Sequence, residues 1–184
     1  MGVALIIIVV VVVGAILIYN NLVNLRNRVQ NGWKQIDVQL KRRHDLIPNL
    51  VESVKGAMQF ERDTLERVMA ARARAVSATG VRETATAENE LSQTLGRLLA
   101  VMENYPNLKS NENVLKLQEE LTTTENQLAF ARQFYNDMVM QLNTREQVFP
   151  ASIIANSFGF KPAEYFTAAE EDRGTPRVDL SLQK

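Results

Sequence analysis

The densest run of side chains able to do chemistry is Lys41-Arg42-Arg43-His44-Asp45. Three adjacent cations could bind an anion or a lipid headgroup, and a histidine beside a carboxylate could move a proton. The competing reading is structural: Arg42 and Arg43 pair with carboxylates on neighbouring helices or subunits, with Glu119, Glu120 and Glu125 as candidates. His44 is the one histidine of the chain. As a lone imidazole on an apolar stripe it reads as a satisfied buried side chain. No Glu-x-x-His pair of the kind that holds di-iron in bundles occurs, because Lys41 stands three residues before His44. There is no cysteine, so disulfides, thiolate nucleophiles, Cys-type zinc sites and palmitoylation are excluded. Gly-rich phosphate loops and Gly-x-Ser-x-Gly elbows are also missing. The sequence therefore offers no catalytic residue, no metal ligand set and no cofactor site. Lys plus Arg is 21 and Asp plus Glu is 21, a balance unlike the basic excess of a nucleic-acid binder.

The elements that must carry these residues begin with an anchor. Val3 to Tyr19 reads VALIIIVVVVVGAILIY, and the first charged side chain is Arg26. Seventeen helical residues rise about 25 Å, and the flanking Met1, Gly2, Leu22 and Leu25 bring the span near the roughly 30 Å hydrocarbon core. The run of β-branched residues from Ile6 to Val13 disfavours helix in water, but lipid forces the backbone to satisfy itself. A cleaved signal peptide fits less well: there is no basic leading segment, and the apolar run is too long. No Lys or Arg precedes the helix, whereas Arg26, Arg28, Lys34, Lys41, Arg42 and Arg43 follow it. This bias predicts a short N-terminus outside and a cytoplasmic C-terminal domain at a bacterial inner membrane, with a periplasmic domain as the alternative. Lys41 lies about 33 Å beyond Tyr19 along a straight helix. That is several times the roughly 8 Å Debye length, which weakens the headgroup reading of the basic run.

Beyond the anchor, apolar or near-apolar residues fall at 22, 25, 29, 33, 36, 40, 44, 47, 51, 54 and 58, a helical stripe. Pro48 interrupts it, removing a backbone donor and clashing with the His44 carbonyl. The helix must either kink and continue or reverse; the stripe keeps its phase across Pro48, which favours the kink. The stripe goes on through Leu65, Val68 and Met69 and fades at Ser77 to Gly80, a turn. A second helix is expected from about Glu83 to Tyr105, stopped by Pro106. A third starts at Ser110 or Asn111, both good N-caps, and ends before Pro150. It carries Val114, Leu117, Leu121, Thr124, Leu128, Ala131, Tyr135, Met138 and Leu142 in heptad order. The segment from 150 to 166 is rich in aromatics. Phe158, Phe160, Tyr165 and Phe166 are expected to dock on the bundle. The tail from 167 to 184 ends in VDLSL, whose alternation suits a strand paired with a neighbouring subunit. Trp33 is either core or an interface anchor.

Several of these residues also form a recognisable pattern. Trp33 to Val51 reads WxxIDVxLKRRHDLIPNLV, and NYPNLKSNENVLKLQEELTTTEN, AFARQFYN and a closing FGF with YF follow. The pattern, from about Val29 to Phe166, resembles the LemA family. The resemblance implies one membrane helix, a cytoplasmic domain of long antiparallel helices and no known catalytic activity. The family includes a magnetosome-vesicle protein, which implies by analogy a role in organising membrane. It gives no active site to carry over.

The expected architecture is thus all-α. A transmembrane helix over 1–25 continues into an elongated antiparallel up-and-down bundle of three to four long helices over 26–149, with a kink at Pro48. The expected function is a self-associating scaffold that organises or remodels a bacterial membrane, its partners being the lipid bilayer and further copies of itself. A tether that recruits another membrane protein, a protease or a signalling component is the alternative. Interface or structural candidates are Trp33, Lys41, Arg42, Arg43, His44, Pro48, Tyr135, Phe158, Phe160, Tyr165 and Phe166.

Overall fold

The apolar run and the stripe as far as Val54 form one uninterrupted helix. In the computed structural model, which describes residues 1–167, α1 runs from Gly2 to Lys55. Its first third is an exposed apolar cylinder, the one described helix long and apolar enough to cross a membrane. From Leu22 onward the same helix enters the protein core, burying Leu22, Val29, Ile36, Leu40, Ile47, Leu50 and Val54. The chain does not reverse at Pro48, which lies inside α1. It reverses at Gly56–Glu61, a turn that the sequence reading did not mark. Met58 keeps the phase of the stripe and is buried, so the periodicity hides the break. Gly56, a poor helix former, stands where the helix ends.

Helix α2 (Arg62–Ser77) turns back along α1, and α3 (Val81–Met102) turns again. Gly80 makes the second turn possible: its φ of +78° is a left-handed conformation natural only to glycine. Thr79 donates both its backbone N–H and its hydroxyl to the Glu83 carboxylate, which fixes the start of α3. After a single turn, α4 (Pro106–Lys109), the chain enters α5 (Glu112–Gln147). The Asn111 side chain caps α5 by accepting from the N–H groups of Asn113 and Val114 at 3.1 and 3.2 Å. The α5 heptad face is buried at Val114, Leu121, Thr124, Leu128, Ala131, Tyr135, Met138 and Leu142. A short α6 (Ala151–Ser157) and an extended stretch to Thr167 complete the described chain. No strand occurs among the described residues. The strand-like alternation near the C-terminus, and its pairing with a neighbouring subunit, lie outside them.

The four long helices are up-and-down neighbours with two cores in series. The distal core joins Ile47, Leu50 and Val54 of α1 and Met58 of the following turn to Leu65 and Val68 of α2, Leu91 and Leu98 of α3 and Val114 of α5. The membrane-proximal core joins Leu22, Val29, Ile36 and Leu40 to Leu128, Tyr135, Met138, Leu142, Ala155 and Phe166. Here α1 and α5 approach closely because position 32 is glycine. A Cβ there would lie 3.2 Å from the Tyr135 Cα.

Candidate functional site

Arg43 and His44 sit at the junction of the two cores, and both are buried. What holds them is Glu88 of α3, whose exposure is 0%. Its Oε2 accepts from the Arg43 Nη1 at 3.0 Å, and its Oε1 lies 2.5 Å from the His44 Nε2. Arg43 Nη2 also donates to the Ser92 hydroxyl at 2.8 Å and reaches Glu125 of α5 at 3.0 Å. One guanidinium therefore ties α1 to both α3 and α5. A charge buried this deeply is tolerated only when it is paired and hydrogen-bonded, and Arg43 is both.

Pro48 completes the arrangement four residues further along. A proline there leaves the His44 carbonyl without its helical donor. The Arg72 Nε of α2 takes that place, donating to the His44 oxygen at 2.6 Å. His44 thus receives α3 through its ring and α2 through its carbonyl. All three partner helices are clamped onto one turn of α1.

A second cation lies one layer toward the membrane. Arg132 of α5 approaches Glu125 at 4.0 Å, and its guanidinium stacks over the Phe166 ring, 4.9 Å from the centroid. Burial pushes Arg132 below its usual range, and the Glu125 carboxylate opposes the shift. Trp33 is half-buried and leans on Tyr135 and Phe166, at centroid separations of 5.7 and 6.1 Å. Burial, followed by the nearby Glu164, raises the Tyr135 phenol. That phenol donates to the Glu164 carbonyl at 2.8 Å.

The segment carrying Phe166 is fastened by two asparagines of α5 spaced seven residues apart. Asn143 accepts from the Ala163 N–H at 2.8 Å and donates to the Ala163 carbonyl at 3.0 Å. Asn136 does the same for Phe166, at 2.9 and 3.0 Å. Each amide imitates a strand partner, so an extended segment can lie along a helix with its backbone satisfied. Phe160 packs under Arg26, 5.2 Å from the guanidinium carbon, and edge-on to Tyr19. Phe158 stacks on Tyr19 at 4.7 Å, while Tyr165 is largely exposed.

The basic run therefore divides. Arg43 and His44 point inward, whereas Lys41, Arg42 and Asp45 are exposed. The expected pairing of Arg42 is not seen among the described residues, and Glu119 and Glu120 make no ion pair there. Of the three candidate carboxylates, Glu125 pairs with Arg43. Sequence reasoning missed Glu88, although a signal existed. Ala85, Glu88, Leu91, Leu95, Leu98 and Met102 keep helical spacing, so Glu88 is an acid on an apolar face. Chemically the site is a neutralised polar knot. The His44 Nε2 is occupied by one Glu88 oxygen and the other oxygen by Arg43, and no three acidic or histidine side chains among the described residues converge as a metal requires.

The LemA family profile matches residues 32–180, a range that includes Arg43, His44, Glu88, the two asparagines and the segment from Phe158 to Phe166. Protein LemA of Metamycoplasma hominis is 25% identical over 84% of this chain and 71% of its own length. Two magnetosome proteins MamQ of Paramagnetospirillum magneticum are each 25% identical over 80% of this chain, and the match spans 64% of their length. With its exposed apolar helix and a family match over most of its length, this chain is a membrane-associated protein that belongs to the LemA family.

Proposed function

We propose that the protein is a single-pass scaffold of a bacterial inner membrane, its helical rod on the cytoplasmic side, which organises the bilayer by lateral self-association. The observation that carries this reading is an apolar face left open on the α1–α5 pair. Val38 is 61% exposed and Phe130 72%, with Phe134 beside them. Together with Lys34, Gln35, Gln39, Gln127 and Ala131 they line a shallow concavity of about 570 Å³. Large exposed aromatics ringed by polar side chains are what a protein contact leaves when its partner is absent. Helix α1, which carries the Val38 half of this face, also carries the apolar span, with no break between them. A contact between rods would thus bear directly on the angle of the membrane helix. Membrane confinement raises the effective concentration of anchored copies, so a modest face suffices. Three relatives bear the name magnetosome protein, which is compatible with a role at a membrane.

The test is the mass of the full-length protein in mild detergent and in lipid nanodiscs. The wild type should form oligomers, and Phe130→Asp with Phe134→Asp should reduce them to monomer with unchanged helical content. A strictly monomeric wild type overturns the reading. The adaptor alternative rests on a different feature, a groove of about 680 Å³ between α3 and α5 lined by Leu95, Leu99, Met102 and Leu121, with Arg43 and Glu125 at one end. A monomer that holds one heterologous protein, and loses it on Leu99→Asp, would favour that reading instead.

A further inference from the structure

The membrane-spanning helix is accompanied at its inner end by a second apolar surface. Where the apolar run stops is fixed by sequence: Tyr19, Asn20 and Asn21 end it, and Arg26 is the first charge, about 10 Å further on. Helix α6 packs against α1 at this level. Ile18 of α1 and Ile154 of α6 are partly buried and pack against the same core cluster, and the Tyr19 and Phe158 rings lie 4.7 Å apart. The depth of α6 is therefore set by the last apolar turn of α1. At that depth the rest of α6 and its preceding corner present large apolar side chains outward. Phe149 is 80% exposed, Phe158 63% and Ile153 56%. Immediately beyond, on the domain side, stand Arg26, Arg28 and Lys161, all exposed.

We propose that this corner, formed by Phe149, Ile153 and Phe158, inserts into the bilayer interface beside α1 as a second membrane contact. The occupant is lipid because the patch continues the lipid-facing surface of α1 at one level. Aromatic rings at the headgroup boundary with cations just outside are the arrangement such a boundary favours. A single helix can tilt and rotate in a bilayer, whereas anchors at its end restrict both. With α6 seated in the interface, the rod is held at one angle and one rotation. The proposal rests on α1 spanning the membrane and adds how the domain is oriented on it.

The chain has no cysteine, so single labels can be placed without a background. Ile153→Cys, Phe149→Cys, Val10→Cys and Phe60→Cys would each carry a bimane fluorophore in the full-length protein. Vesicles would contain phospholipid with a nitroxide near the headgroup, to report positions 149 and 153, and phospholipid with a nitroxide midway along an acyl chain, to report position 10. Phe60 lies beyond the end of α1, about 50 Å from Tyr19 along the rod, and serves as the distant control. The expected result is loss of emission at 149 and 153 approaching that at 10, with no loss at 60. Quenching at 10 with positions 149 and 153 as bright as 60 overturns the proposal and leaves the anchor standing. No quenching at 10 overturns the anchor and the proposal with it.

Discussion

Replacing Glu88 by alanine tests whether the polar knot holds the rod together. The substitution removes both oxygens that Arg43 and His44 use, at 3.0 and 2.5 Å, from a position with no solvent exposure. Breaking a buried pair by deleting one partner costs about 3–5 kcal/mol. Arg43 keeps Ser92 and Glu125, so the lower end applies, about 3 kcal/mol. For a chain of this size each kcal/mol moves the melting temperature by about 2–4 °C, which gives a loss of roughly 6–12 °C. The internal control lies two residues along the same helix. Glu90 pairs with Arg74 at 2.5 Å, but the two side chains are 48% and 54% exposed. An exposed pair is worth about 0.2–1 kcal/mol, so Glu90→Ala should cost 4 °C at most. Both variants are followed by circular dichroism at the helical minimum, in detergent, with urea midpoints as a second measure. A third variant separates pairing from packing. Arg43→Met, His44→Leu and Glu88→Leu together should recover most of the loss, since apolar replacement of a whole buried pair is often neutral. If Glu88→Ala melts no lower than Glu90→Ala, the knot is not what secures α1 to α3.

Three further outcomes follow from the same geometry. Pro48→Ala restores a helical donor to the His44 carbonyl and should stabilise by about 1–3 kcal/mol. In that background Arg72→Met should cost less than in the wild type, and a double-mutant cycle by urea unfolding measures the coupling. Glu146 is buried with one carboxylate oxygen unpartnered, and burial raises its carboxyl above the ordinary range. A raised carboxyl contributes stability at acid pH that is lost as pH rises through the folded-state value. Glu146→Gln should therefore stabilise at pH near 7.5, and the gain should vanish below the ordinary carboxylate range of about 4. Asn136→Ala with Asn143→Ala removes four hydrogen bonds to the 163–166 backbone, each worth about 0.5–1.5 kcal/mol. The segment should then exchange its Ala163 and Phe166 amides faster and be cut by chymotrypsin after Tyr165 or Phe166. Unchanged protection would show that the aromatic contacts suffice.

Which of these features the sequence displays depends on whether they repeat. The α1 stripe and the α5 heptads repeat many times, so their buried faces, and the inward placement of His44, are visible from spacing alone. The turn at Gly56–Glu61 is invisible because Met58 happens to keep phase while the backbone reverses around it. Glu88 and the two asparagines are single polar residues whose meaning lies in a partner 44, 30 or 20 positions away, and no local period encodes that distance. Yet all three stand on or beside an apolar face, where a polar side chain is costly unless satisfied. Pro48 follows the same logic. It is unfavourable within α1 on its own account, and the structure gives the carbonyl it strands to Arg72. These breaks in the apolar pattern lie where one helix meets the others. They tie α2, α3 and α5 to α1, and the C-terminal segment to α5, so every part of the rod is fastened, directly or through α5, to the helix that carries the apolar run.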